Sequence, residues 1–94
     1  MIKTVIRFGA PWCGPCRTYA RIFHTVSEKP EFSGIKFSEI DIDDEENEHY
    51  VDEYKIMGVP TTIILDENGN VIDKKQGLLM ENVLTAWLNG LIGE

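Results

Sequence analysis

Basic residues are scarce in this 94-residue chain. Nine Lys and Arg stand against 16 Asp and Glu, for a formal net charge of -7. That balance argues against nucleic acid and against an anionic membrane surface as partners. Histidine is rarer still, with only His24 and His49. No apolar run reaches the ~18 residues of a spanning helix, so no membrane is expected. Met1-Ile2-Lys3-Thr4 leads straight into a strand-like run, so no signal peptide is expected. Repeats, linkers and low-complexity segments are missing. The length fits one domain over residues 1–94, and a hydrophobic fraction of 43% is ordinary for a globular chain.

Cysteine is equally sparse, but its placement is informative. The only two, Cys13 and Cys16, lie in Trp12-Cys13-Gly14-Pro15-Cys16. An apolar segment, Thr4 to Phe8, runs into this stretch, and a helical pattern, Thr18 to Ser27, runs out of it. A strand, a CxxC and a helix in that order read as a thiol–disulfide redox site. Residues at i and i+3 of a helix are neighbours, so both sulfurs fall within disulfide reach. Cys13 would stand at the helix N-terminus, where free N–H groups and the dipole favour a thiolate. Cys16, one turn in, should be more buried. Cys13 is then the attacking sulfur and Cys16 the resolving one. Pro15 removes an N–H that the first turn leaves unpaired anyway. Gly14 keeps the approach free of bulk, and Trp12 offers a flat flank.

Two other readings are weaker. A purely structural bridge closing so short a loop restrains the unfolded chain by only about 2 kcal/mol. A metal site needs two further ligands, and neither histidine has a zinc-module spacing. No metal is expected.

The motif resembles the active-site signature of thioredoxins. Further stretches carry the resemblance: Phe8-Gly9-Ala10-Pro11 before the motif, Gly58-Val59-Pro60-Thr61, Asn68-Gly69, and Gly77 after the last strand. Together they cover nearly the whole chain. The resemblance implies that Pro60 is cis and lies against the cysteine pair. It also implies that the backbone at Val59 pairs with an extended stretch of substrate, a form of strand addition. Trp12, Gly14, Pro15, Val59 and Pro60 are thus the expected substrate-binding residues. It implies a dithiol reductase of protein disulfides with no bound cofactor beyond the redox-active Cys13–Cys16 disulfide. Its partners would be disulfide-containing proteins and a thioredoxin-reductase-type electron donor. A cytoplasmic monomer is expected, because a reactive pair fits a reducing compartment. The alternatives are a more oxidising glutaredoxin- or isomerase-like redox protein, or a non-enzymatic binding module. Trp12 and Gly14-Pro15 argue against glutaredoxin, and the intact pair argues against the module.

Along the chain, Ile2 to Phe8 reads as a central strand covered on both faces. From Pro15 to Ser27, Tyr19, Ile22, Phe23 and Val26 recur at helical spacing, and Lys29-Pro30 ends the helix. Arg17 and Arg21 should form a solvated face. Ile35 to Ile42 is the second strand. Glu39 to Glu53 then holds nine of the 16 acidic residues. This run reads as a helix start with Asp43 or Asp44 as N-cap, and Tyr50, Val51 and Tyr54 as the buried side. A partner-selecting negative patch is the second reading. Thr61–Leu65 and Val71–Lys75 flank an Asn-Gly turn and form a hairpin. Met80, Val83, Leu84, Trp87, Leu88 and Leu91 make a final amphipathic helix ending near Gly90. The fold class is α/β in the order βαβαββα, a thioredoxin fold with a four-stranded mixed sheet and helices on both faces. Full-length thioredoxins carry an extra strand and helix before this core, so the Ile35–Ile42 strand is expected at an open edge.

Four positions depart from the family: Arg7, Glu39, Gly9, where it often has an aromatic residue, and Arg21, where it often has a helix-kinking proline. Where it usually keeps a buried Asp before the motif, this chain has Arg7. The family's partner lysine is matched by Glu39. An Arg7–Glu39 pair near Cys16 is expected to modulate the thiols.

Overall fold

The computed structural model describes residues 1–93. Strand β1 (Ile2–Gly9) leads into helix α1 (Gly14–Ser27). Strand β2 (Lys36–Asp41), helix α2 (Glu48–Glu53), strands β3 (Thr61–Asp66) and β4 (Val71–Gln76), and helix α3 (Glu81–Ile92) follow. The sheet runs β2-β1-β3-β4. β1 pairs in parallel with β2 and antiparallel with β3, and β3 with β4 is the antiparallel hairpin. The βαβαββα mixed sheet expected from the sequence is therefore present, with β2 at one edge.

The β-branched run of β1 buries both of its faces, as a central strand must. Its odd-numbered face carries Val5, which meets Ile64 under Tyr19, Phe23 and Val26 of α1 and Leu84 and Leu88 of α3. Its even-numbered face carries Ile6 and Phe8, which join Ile63 and Leu65 under Tyr50 and Tyr54. The alternation of one strand thus sends two helices to one side of the sheet and α2 to the other. Deep in the first layer, the Tyr19 hydroxyl and Thr62 Oγ1 share a hydrogen bond of 2.6 Å. Helix α1 ends at Ser27 with Glu28 as its C-cap, and Pro30 opens a separate 3-10 turn (Pro30–Phe32) that buries Phe32.

Four expectations need correction. The acidic stretch does start with a cap, Asp44 Oδ1 accepting from the Glu46 N–H at 3.0 Å. What it caps is a 3-10 turn (Glu45–Asn47), which leaves α2 only six residues long. Tyr50, Val51 and Tyr54 are half-buried rather than buried. Two tyrosines can lay their rings on the core while keeping their hydroxyls wet, as Tyr54 does edge-on to Phe8. The last helix runs through Gly90 to Ile92. A glycine inside a helix costs only ~1 kcal/mol, and Leu91 packing on the core holds the last turn in place. Val83 and Met80, assigned to its apolar stripe, are exposed.

Candidate redox site

The site grows from the end of β1. Gly9 closes the strand, Ala10 to Trp12 turn the chain, and Cys13 becomes the N-cap of α1. An N-cap residue normally supplies a side-chain oxygen to the free N–H groups of the first turn. Here sulfur takes that place: the Cys16 N–H donates to Cys13 Sγ at 3.2 Å. A helix N-terminus aimed at a sulfur favours its negative form. Pro15 lies within the first turn. Cys13 and Cys16 form a disulfide with 5.2 Å between Cα atoms. Cys13 is 6% exposed and Cys16 2%, so burial separates the two sulfurs less than the sequence suggests.

A second loop faces the pair. The Val59–Pro60 peptide is cis, and the Val59 carbonyl oxygen lies 3.8 Å from Cys13 Sγ. Thr61 Oγ1 donates to the Gly58 carbonyl at 2.6 Å, and the Gly77 N–H donates to the Pro60 carbonyl at 2.8 Å. The loop is thus fastened at both ends to the hairpin. Ala10, Ile42 and Val59 pack around the two sulfurs. Gly14 and Pro15 are open to solvent beside them.

Trp12 is 65% exposed. Its indole N–H donates to Asp43 Oδ2 at 2.6 Å, which sequence reasoning did not anticipate. The sequence offers Asp43 as a helix cap, an edge-strand charge or part of an acidic patch, and a bond between residues 31 positions apart leaves no local signature. Met57 beside the cis loop is 87% exposed and was not singled out either.

Behind Cys16 lie the two exchanged charges. Arg7 and Glu39 are direct register partners on β1 and β2, and Arg7 Nη2 sits 3.2 Å from Glu39 Oε2. They line a cleft of about 340 Å³ together with Gly9, Cys16, Arg17 and Asp41. The Arg7 guanidinium also lies over the Phe23 ring at 6.0 Å. Among the described residues, no group of three or more His, Cys, Asp or Glu is placed to hold a metal ion. No helix among them is long and apolar enough to cross a membrane.

A cysteine pair bridged at a helix N-terminus, facing a cis-proline loop on a mixed sheet, defines a thiol–disulfide oxidoreductase. Comparison with known proteins narrows the class. The family model for thioredoxin matches residues 2–90. Thioredoxin of Rickettsia felis is 37% identical over 89 residues, spanning 94% of this chain and 80% of that protein. Mitochondrial thioredoxin of Bos taurus is 36% identical, and the match spans 95% of this chain but 51% of that protein. The crystal structure of thioredoxin from Trypanosoma brucei brucei superposes with a TM-score of 0.83 at 29% identity, covering 100% of this chain and 77% of that one. The chain belongs to the thioredoxin family, and it is a disulfide reductase with a redox-active cysteine pair.

Proposed function

We propose that the chain reduces disulfides of protein substrates, with Cys13 as the attacking sulfur and Cys16 as the resolving one. The observation that carries this assignment is the Cys16 N–H donated to Cys13 Sγ. It stabilises a thiolate on Cys13 and on no other side chain. The Cys13 thiolate attacks a substrate disulfide, releases one substrate thiolate and leaves a mixed disulfide. Cys16 then attacks Cys13 Sγ, reforms the Cys13–Cys16 bond and releases the second substrate sulfur. The substrate gains two electrons and the pair loses two.

Trp12, Gly14, Pro15, Val59 and Pro60 form the proposed docking surface. The Val59 carbonyl beside Cys13 supports main-chain pairing with an extended substrate segment. Arg7 and Glu39 are proposed as modulating groups. A thioredoxin-reductase-type donor would return the electrons, and no bound cofactor is needed. The same reading takes residues 1–94 as one domain, working as a monomer in the cytoplasm.

The test is trapping. Cys16→Ser should accumulate a covalent adduct with a disulfide-linked protein, visible on a non-reducing gel and released by dithiothreitol. Cys13→Ser should give no adduct and no turnover. Adducts of equal yield from both variants would overturn the order of attack.

A further inference from the structure

We propose that Arg7 sets the reactivity of the resolving sulfur, Cys16, and that Glu39 restrains Arg7 in doing so. The inference rests on the assignment of Cys16 as the resolving sulfur and adds what controls it.

The geometry turns on Gly9. A Cβ built there would lie 2.7 Å from Arg7 Nη1 and 3.6 Å from Cys16 Sγ. The guanidinium and the sulfur therefore flank the same point, and only the missing side chain of Gly9 lets both come so near. Arg7 is 12% exposed, so its charge acts through a poorly screened environment. Its Nε is buried and makes no hydrogen bond, which leaves the cation under-compensated by neutral partners. Glu39 meets it from one side only and is 54% exposed.

The charged and titratable groups around Cys16 are few. Arg7 comes from β1, Glu39 and Asp41 from β2, and Arg17 and Tyr19 from α1, with Cys13 itself at the helix start. The cis-proline loop brings no titratable side chain. Of these groups, Arg7 is the one whose charged atoms share the Gly9 contact point with Cys16 Sγ. A cation beside a thiol favours the thiolate. A guanidinium has donors only and cannot take up the thiol proton. That proton leaves to water through the cleft, and Arg7 holds the resulting anion. Cys16 then attacks Cys13 Sγ of the mixed disulfide as a preformed thiolate.

Arg7 is thus a positioning and electrostatic residue for the second step rather than the first. Two substitutions should act in opposite directions. Arg7→Gln removes the cation, so Cys16 ionises at higher pH. Glu39→Gln removes the restraint, so Cys16 ionises at lower pH. Gly9→Ala should mimic Arg7→Gln, because the added methyl meets the mobile end of Arg7 first. It displaces the guanidinium and keeps the residue.

The experiment follows the two yellow thiolates released when the reduced protein meets dithiobis(nitrobenzoate) under single-turnover conditions. The first release reports attack by one protein thiol, and the second reports closure of the Cys13–Cys16 bond. At pH 6, Arg7→Gln and Gly9→Ala should slow the second release by roughly tenfold, the equivalent of about one pKa unit at Cys16. Their pH profiles for that step should move to higher pH. Glu39→Gln should speed the second release at pH 6 and move the profile to lower pH. The first release should change less in all three. Shifts of the same sign in Arg7→Gln and Glu39→Gln, or none, would overturn the proposal. Should Arg7→Gln fail to fold, Gly9→Ala against Glu39→Gln makes the same decision. Wild-type protein that gives no second release would instead overturn the assignment of Cys16 as the resolving sulfur.

Discussion

At the scale of single residues, the chemistry is concentrated in side chains that are nearly dry. Tyr19 shows how tightly the layer behind the pair is built. Burial pushes its hydroxyl above the ordinary tyrosine value, against the opposing pull of Thr62 and Arg7. The unfolded chain ionises near pH 10 and the folded one later. Stability is therefore intact below about pH 10 and falls as pH rises toward the folded value. Tyr19→Phe removes that group and strands Thr62 Oγ1. We expect a loss of about 1–2 kcal/mol at neutral pH, with a shallower decline above pH 10, both read from urea unfolding. A loss at pH 7 with an unchanged alkaline slope would assign that slope to other groups. Cys13, Cys16 and Pro15 were legible because i to i+3 spacing and a helix start are local facts. The Trp12–Asp43 bond was not, because its partners meet only once the sheet has formed. The meaning of Gly9 depends on where the Arg7 side chain ends, which no local pattern shows.

At the scale of elements, period and turn chemistry carried most of the message. β1, α1 and the hairpin fall within a residue or so of where alternation, helical spacing and Asn68-Gly69 put them. The acidic segment misled, because charge near a helix start says nothing about length. Asp44 caps a 3-10 turn, and α2 keeps only Glu48–Glu53. Helix α3 outran its Gly90 because packing of Leu91 outweighs the propensity of one glycine. That weakness is open to test. A Cβ on Gly90 would meet nothing within 4 Å. Gly90→Ala should therefore stabilise the protein by about 0.5–1 kcal/mol, a gain of a few degrees in Tm, with catalysis unchanged. A loss of stability would mean that α3 is not helical through this position in solution.

At the scale of the whole molecule, the two faces of the sheet divide the work. One is buried under α1 and α3, and the other carries the short α2 and the loop that holds Val59 and Pro60. The cysteine pair stands where β1 ends, between them. Its midpoint potential is the property that integrates the site. Thioredoxin itself is placed at about −270 mV and protein disulfide isomerase at about −180 mV. A cation beside Cys16 stabilises the reduced pair, so equilibration in defined thiol–disulfide buffers should give a value less negative than −270 mV. A value at −270 mV would leave the reductase reading intact and deny Arg7 any effect on the couple. Glu39 belongs to β2, an edge strand, and points its carboxylate half into solvent. The counter-ion of the buried charge thus stands on an edge strand and not in the loop that holds Val59 and Pro60. Salt, a metal ion or a neighbouring molecule at that margin could alter how readily the protein lets its substrate go. The rate of capture, set at Cys13, would remain what it was.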